Sequence, residues 1–600
     1  MVIRASKDKA SGAIVAGLGN PWGDTQGDSS NGGYHLVWAR DLYKKASALL
    51  AAGDTVTPTE AVEWLFTKQQ KSDGSFPQNS WVDGTPYWTG QQLDETAFPI
   101  MLAYKVGKTD ATFYLNEIKP AADYLLKYAP YTGQERWEEN AGYSPATIAA
   151  VVAGLVAAGK IADLNGYTAD RDRYYERADY LQGLVANWTF TTSGPLGDGW
   201  YFERIDDWGD PNDGHTINIA NGGGSWDERS IVDTSFTELV RHGVKPYNDP
   251  YIQQSFAETD GAIKQTIPGK GDYWFRYPHD GYGENADGSN YDGAGIGRLW
   301  PIFTGERGHY VIASGGDATP YLDAMRNAAN SGYMIPEQVW DLNAPAGYTP
   351  GTPTKSMTPL GWSMAEYVTL AISKYYGKIA DQLDIVRDRY VTYAFQPDPL
   401  KVIDWDPAKA TQGKALTIYY NGSLKNSAQV IMHWGINNWA AGTIADKKMI
   451  KRSDGIWEVT ISVPTNATQI DMAFTDGTNW DNNGGADYHI TITARSYSPY
   501  ITPVDMFPNP PVKGQPVTIY YKGFLASDPA TRSITLHYGF DGWAAGTIND
   551  VAMSKRADGF WEVTLTMPTD RYKFDFCFVN NAGTWDNNGG ADWHYGVTQK

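Results

Sequence analysis

Ser144-Pro145-Ala146-Thr147-Ile148-Ala149-Ala150-Val151-Val152-Ala153-Gly154-Leu155-Val156 is the stretch that decides the fold. Ile148, Val151, Val152, Leu155 and Val156 recur at the 3, 4 and 7 spacing of one helix face, which predicts a helix over 144–164. Comparable patterns lie at 34–52, 57–69, 92–107, 115–128, 170–187, 229–241, 250–264, 296–313, 319–330, 361–376 and 382–394. Between them run Gly/Asp/Trp/Tyr-rich loops, notably 71–91, 193–228 and 268–295. Loops of that length inside a compact domain are usually functional. About a dozen helices with such loops suit a ring of six helical hairpins, an all-α (α/α)6 barrel with its site at one mouth. This domain is expected over 33–396, after a linker-like segment, 1–32.

Beyond Gln396-Pro397-Asp398-Pro399 the texture changes. Alternating runs such as Ala415–Tyr420 and Ile456–Ile461 read as strands, and they recur as Val517–Tyr521 and Phe560–Leu565. The Pro-rich stretch from Ser496 to Pro511 is a stiff joint between the copies. Two all-β sandwich modules are expected, 397–496 and 497–600. Each carries one aromatic block: His433-Trp434-Gly435, Trp439 and Trp480-Asp481-Asn482-Asn483, then His537-Tyr538-Gly539, Trp543 and Trp585-Asp586-Asn587-Asn588. A duplicated module that keeps aromatics beside Asn and Asp fits carbohydrate binding. Trp457 and Trp561, inside strands, are expected in the core.

Six hundred residues is a multi-domain length. A net charge of −20 argues against nucleic acid as a partner. Aromatics make up 14% of the chain, with 23 Trp and 39 Tyr, and flat aromatic faces match the apolar C–H faces of pyranose rings. Cys577 is the lone cysteine, so no internal disulfide forms. No run of about 18 apolar residues is apparent, so no membrane span is expected. The apolar stretch Ala13–Leu18 is too short for a secretory signal, so the chain as given lacks an export address.

Candidate chemistry sits in Gln134-Glu135-Arg136-Trp137-Glu138-Glu139-Asn140, which is expected to open a helix, and in Pro336-Glu337-Gln338. A carboxyl against an indole in a dry pocket has a raised pKa and can donate a proton near neutral pH. By themselves, Glu138 and Glu139 read first as acids favoured at a helix N-terminus, and Glu337 as a structural or solvated acid. Their neighbours decide. Trp38-Ala39-Arg40-Asp41, Tyr87-Trp88-Thr89-Gly90, Arg298-Leu299-Trp300-Pro301 and Thr358-Pro359-Leu360-Gly361-Trp362-Ser363 each pair aromatic with polar groups near helix starts.

Together with the two Glu segments, these motifs resemble the bacterial glucoamylases and glucodextranases of glycoside hydrolase family 15, in family order over about residues 3–394. The resemblance implies an inverting hydrolase acting at the non-reducing end of an α-glucan and releasing β-D-glucose. It implies Glu138 as general acid and Glu337 as general base. Arg40 and Asp41 are implied to hold the terminal glucose. Trp88, Trp137, Glu139, Arg298, Trp300 and Trp362 are implied as pocket walls and polar partners, with Asp94 as a further binding or structural acid. Inversion needs the two carboxyls about 6.5–9.5 Å apart, so that a water fits opposite the leaving group.

The C-terminal modules resemble starch-binding modules of family 25. That resemblance implies His433, Trp439, Trp480 and Asn483 as contacts in the first copy, and His537, Trp543, Trp585 and Asn588 in the second. Tyr538 replaces Trp434, so different affinities are expected. The expected partner is an α-glucan such as starch or maltooligosaccharides, and a monomer is expected. No cofactor is called for. Asp/Gly-rich loops such as Asp206–Asp213 could hold Ca²⁺, but none has EF-hand spacing, and no metal is assigned. Relatives carry a β-sandwich before the barrel, and this chain starts within what looks like the joining linker. Either a truncated form or a lineage that has lost the domain is expected, with the activity outside the cell. The alternatives are an α-1,6-acting glucodextranase, a trehalase, or an inactive starch-binding protein.

Overall fold

A computed structural model describes residues 1–22 and 33–600. They divide into two compact units: Met1–Gln182, Thr189–Asp206 and Asn212–Ala394 in the first, and Gly183–Trp188, Asp207–Pro211 and Phe395–Lys600 in the second.

Twelve main helices span the helical region: α1 Ala39–Ala51, α2 Val56–Trp64, α3 Leu93–Lys105, α4 Lys119–Tyr128, α5 Pro145–Leu164, α6 Thr168–Thr189, α7 Thr237–Arg241, α8 Pro250–Ile263, α9 Pro301–Ala313, α10 Thr319–Ala328, α11 Gly361–Tyr376 and α12 Asp384–Arg387. Contacts run α1 to α3, α3 to α5, α5 to α7, α7 to α9, α9 to α11 and α11 back to α1. The odd helices therefore close a ring. Of the even ones, α2, α4, α10 and α12 pack against its outer side. This is the α/α barrel that the periodicity predicts.

The inner position of α5 explains its composition. It is buried over nearly its whole length, from Pro145 to Ala162, and Gly154 lies against Ala97 of α3, where an added Cβ would meet backbone at 3.2 Å. Contrary to the sequence reading, this helix is apolar and long enough to cross a membrane by length and composition alone. Of its most apolar 18-residue window, 83% is buried inside the protein, as a core helix requires. A second departure is α7. The expected helix over 229–241 shrinks to Thr237–Arg241, because Glu228–Ser230 forms a 3-10 turn capped by the Asp227 carboxylate.

The segment expected to be linker-like is part of the helical unit over residues 1–22. Ala13, Ile14, Val15 and Ala16 are buried. The Ala16 carbonyl accepts from the Gly361 amide at 3.0 Å, and the Ala16 amide donates to Leu36. The segment thus lies between the entry to α1 and the start of α11. Residues 23–32 of that expectation lie outside the described residues.

In the second unit each module is a two-sheet sandwich. The first copy has β1 Ile403–Asp406, β2 Ala415–Tyr420, β3 Ile431–Ile436, β4 Ala445–Lys448, β5 Ile450–Lys451, β6 Trp457–Ser462, β7 Gln469–Thr475, β8 Trp480–Asp481 and β9 Tyr488–Thr491. Its sheets run β5-β6-β2-β1 and β4-β3-β7-β8, with β9 on β7. The second copy repeats both orders, with β10 Val504–Phe507, β11 Pro516–Tyr521, β12 Ile534–Phe540, β13 Asn549–Ala552, β14 Ser554–Lys555, β15 Trp561–Thr566, β16 Lys573–Asn580, β17 Trp585–Asp586 and β18 Trp593–Gly596. Trp457 and Trp561 sit in the two cores, as their place in strands implies.

Candidate active site

At one mouth of the ring lies a cavity of about 630 Å³, lined in part by Trp22, Tyr34, Arg40, Asp41, Glu138, Glu139, Arg276, Tyr282, Trp300, Glu337 and Trp362. It gathers side chains from many segments distant in sequence. The first turn of α1 supplies Arg40 and Asp41. Arg40 is a buried hub: one guanidinium nitrogen reaches Gln92 at 3.0 Å, Asp94 at 3.1 Å and Glu95 at 3.1 Å, and the other reaches Glu138 at 3.0 Å. A planar multi-donor fork suits this task. Surrounding acids keep Arg40 charged despite its burial. Asp94 therefore sits behind Arg40 and is not among the cavity's lining residues.

The acid-rich segment does not open a helix, as the sequence suggested. Residues 131–141 form a tight loop, and α5 begins only at Pro145. The cause is Glu135, whose carboxylate takes the Trp137 amide at 2.6 Å while its own amide donates to the Asn140 carbonyl. Glu138 lies within this turn at φ 69°, a left-handed conformation that L residues rarely adopt. The conformation aims its side chain into the cavity, 22% exposed, with Gln78 donating to it at 2.7 Å. Burial raises its pKa, opposed by Arg40 and Gln78.

Glu337 reaches the cavity from the segment before α11, with its amide anchored on the Met357 carbonyl at 2.8 Å. Tyr34 donates to one carboxylate oxygen and itself touches the Tyr282 hydroxyl at 2.6 Å. The other oxygen is buried without a hydrogen-bond partner among the described residues. Burial pushes the Glu337 carboxyl up to about 8, although Tyr34 and the nearby Arg276 charge favour its ionised form.

Glu139 points to a second cation cluster, bonding Arg276 at 3.0 Å and accepting from Tyr277. Trp137, Trp300 and Trp362 make an aromatic wall, with Trp137 and Trp362 stacked at 6.2 Å and 17°. Trp137 is fixed by its indole N–H on Asp233 at 2.8 Å, whereas the indole N–H groups of Trp300 and Trp362 have no partner among the described residues. Trp88, 43% exposed, packs edge-on to Trp38.

Arg298 departs from the expectation. It is buried away from the cavity, its side chain on Asp341 at 3.3 Å and over the Trp340 ring, while its amide donates to Gln338. It braces the segment that carries Glu337. In its place Arg276 lines the cavity beside Arg40; sequence reasoning missed it, together with Tyr34, Trp38, Tyr282 and Trp22. A signal existed: Arg276-Tyr277-Pro278-His279-Asp280 lies in the long polar loop already marked as functional, and Trp38 precedes the Arg40-Asp41 pair.

The modules present aromatic platforms of one design. His433 stacks on Trp439 at 5.2 Å and 26° and meets Trp480 edge-on at 87°. His537, Trp543 and Trp585 repeat this at 23° and 89°. Trp480 and Trp585 are 56% and 48% exposed. Each stacked Trp has positive φ, and its indole N–H is held by an aspartate, Asp487 at 3.0 Å and Asp592 at 3.1 Å. Asn483 and Asn588 donate to the carbonyls of Asp487 and Asp592, so they also brace their own loops. Trp434 is fully buried in the first core, and Tyr538 packs against the second. The Trp434/Tyr538 difference therefore lies off the platform, and the expectation that it changes affinity loses its basis.

The sequence model of glycosyl hydrolases family 15 matches residues 66–372. That of a starch/carbohydrate-binding module, family 53, matches 416–472 and 517–576. The module match is thus to family 53 in place of the expected 25; the matched stretches stop before Trp480 and Trp585, so the aromatic spacing alone did not separate the two. A glucoamylase from Clostridium sp. (strain G0005) is 52% identical over 392 residues, covering 65% of this chain and 54% of that protein. An alpha-amylase from Clostridium acetobutylicum is 34% identical over 196 residues, 33% of this chain and 24% of that protein. The crystal structure of a bacterial glucoamylase complexed with acarbose aligns with TM-score 0.62 at 50% identity, covering 65% of this chain and 56% of that one. The chain spans about half the length of that Clostridium glucoamylase.

Proposed function

Because the chain belongs to glycosyl hydrolase family 15, we propose that its cavity is the active site of an exo-acting, inverting glucoamylase that releases β-D-glucose from the non-reducing ends of starch and maltooligosaccharides. The observation that carries this reading is that Glu138 and Glu337, far apart in sequence, line one cavity small enough to enclose a chain end. Arg40, Asp41, Glu139 and Arg276 offer charged partners for the hydroxyls of that end, and Trp137, Trp300 and Trp362 offer apolar faces.

Glu138 donates its proton to the glycosidic oxygen, and Glu337 takes a proton from the water that attacks the anomeric carbon. The partnerless Glu337 oxygen is the acceptor for that water, while Tyr34 fixes the other oxygen. Positive charge developing at the anomeric carbon is favoured by carboxylates placed before the reaction begins. Burial raises the pKa of both carboxyls, that of Glu337 to about 8, so the productive arrangement, with the proton on Glu138, requires Glu337 to ionise. Rate therefore rises with pH as Glu337 loses its proton and falls as Glu138 loses its own, and both limbs belong to the coupled pair.

The two modules anchor the chain on polymeric α-glucan through His433, Trp439 and Trp480, and His537, Trp543 and Trp585, with Asn483 and Asn588 at the rims. An anchor of this kind favours α-1,4-glucan polymers over trehalose. Such an activity is expected outside the cell, where the polymer is.

The deciding experiment follows the anomer released from maltotetraose by proton NMR, with isomaltotriose and trehalose alongside. β-Glucose appearing first from maltotetraose supports the reading. Initial α-glucose would rule out inversion, and no release would leave a starch-binding protein. The two roles separate on α-glucosyl fluoride, whose leaving group needs no acid: Glu138→Gln retains its hydrolysis and Glu337→Gln does not.

A further inference from the structure

Three carboxylates outside the cavity converge in the helical unit. Glu203, Asp206 and Glu228 are all buried, and one carboxylate oxygen from each lies within 4.8 Å of the other two. Glu203 is 1% exposed, and neither of its carboxylate oxygens has a hydrogen-bond partner among the described residues. Buried carboxylates ordinarily find donors, so an unsatisfied Glu203 carboxylate beside two further buried acids needs an explanation. The cation that most favours the Glu203 charge, Arg229, has its guanidinium bonded to Asp227 at 2.7 and 3.0 Å.

The backbone holds this cluster in place. Glu203 follows the strand Tyr201–Phe202, and its amide donates to the Thr189 carbonyl. The Arg204 amide donates to Ile231, tying 203–206 to the turn that begins at Glu228. Asp206 exchanges both backbone hydrogen bonds with Tyr143, at 2.7 and 3.1 Å. The donor set is all oxygen. Its spacing falls within the roughly 5 Å that separates opposed oxygens around Ca²⁺, each at about 2.3–2.6 Å.

We propose that Glu203, Asp206 and Glu228 bind a calcium-class divalent cation that fixes the 203–206 segment. The segment matters to the cavity because Arg204, between two of these acids, reaches the other way. Its guanidinium contacts Glu135 at 3.2 Å and Glu139 at 3.7 Å. Glu135 shapes the Glu138 turn, so the cation supports the catalytic loop through Arg204 while touching no substrate. The site has no EF-hand spacing.

The test uses the full chain passed through metal-free gel filtration. Elemental analysis is expected to find one Ca²⁺ per chain. EDTA should lower Tm by on the order of 5 °C. CaCl₂ should restore Tm and MgCl₂ should not. Hydrogen–deuterium exchange at 203–206 and 228–231 should rise on chelation. Glu203→Gln removes a charge with little change in shape. It is expected to lose the bound Ca²⁺ and the Tm response to CaCl₂. Absence of bound metal, equal rescue by MgCl₂, or a Glu203→Gln protein that keeps its Ca²⁺ would each overturn the proposal. So would a metal-free Glu203→Gln protein as stable as the parent and indifferent to EDTA, which would mean that the acids share a proton.

Discussion

The cavity and the module platforms use opposite means to present polar and aromatic groups. In the cavity, charge is buried against charge: Arg40 touches four partners and Arg276 bridges Glu139 and Asp280. On the platforms, aromatic faces stay wet and each stacked indole is steered by a single aspartate. Catalysis requires charges to be in position before reaction, and a dry pocket strengthens them. Adhesion to a polymer requires only flat faces at fixed angles, repeated. Disturbance of the cavity should therefore change rate steeply, whereas disturbance of a platform should change retention in small, separable steps.

The largest expected effect tests the cavity. Glu138→Gln and Glu337→Gln should each lower kcat on maltotetraose by about 10²–10⁴ or more, with modest change in KM. Steady-state kinetics read both. A loss in KM alone would mean that these carboxylates bind without reacting, and the contrast with the platforms would vanish. Next comes the paired platform variant Trp439→Ala with Trp543→Ala. Two tethered weak sites gain about 10²–10⁴ over one when both reach the polymer, so granular-starch pull-down should collapse in the double variant and weaken only partly in each single one. Hydrolysis of maltotetraose should be unchanged.

A smaller effect separates the two Glu337 oxygens. Tyr34→Phe removes the hydroxyl that favours ionised Glu337, so the carboxyl should move further up from about 8. The acidic limb of kcat/KM then shifts to higher pH, because the base must be ionised to act. The loss should be greatest on the acid side and shrink as pH rises. A uniform loss at all pH values would assign Tyr34 to substrate contact alone.

These contrasts also mark how far the sequence could be read. The helical ring was legible because its apolar period is local, and α5, α8 and α11 lie close to where the spacing puts them. The loop at 131–141 was not. Glu135 captures backbone amides with its side chain, an interaction that periodicity does not encode. The two arginine–aromatic motifs around Arg276 and Arg298 look alike in sequence. Only pairing with distant acids, Glu139 for one and Asp341 for the other, decides which faces the cavity. Residues 1–22 resembled a linker because their apolar run is short, yet the carbonyl of Ala16 caps α11 and Trp22 reaches the cavity wall. On the platforms the His and Trp residues were legible from the repeat itself, since two copies hold the same spacing.

Asp487→Asn sharpens the platform side. The Trp439 indole N–H donates to a carboxylate there, and replacing it with an amide weakens the bond by about 0.5–1.5 kcal/mol. Starch affinity of the first module should drop a few-fold, less than for Trp439→Ala, and Asp592→Asn should match it in the second. Isothermal titration with maltoheptaose on single-platform variants measures the step. An effect as large as removing the indole would show that the aspartate itself contacts sugar.

The smallest effect concerns Trp434 and Tyr538, where the His-X-Gly motifs of the two blocks differ. Trp434 pairs with Met472 and Ala445 across its sheet and is wholly enclosed, and Tyr538 meets Phe540 and Phe574 edge-on. Exchange of these residues changes core volume and leaves the stacked His and Trp in place. Trp434→Tyr should cost about 1–2 kcal/mol of stability, short of the 3–5 kcal/mol of a Trp→Ala truncation, and lower Tm by a few degrees. Starch binding, measured on folded protein well below Tm, should be unchanged within error. If affinity instead followed this exchange, the platform would be reading its own core, and the separation between a rigid charged cavity and independent aromatic faces would fail.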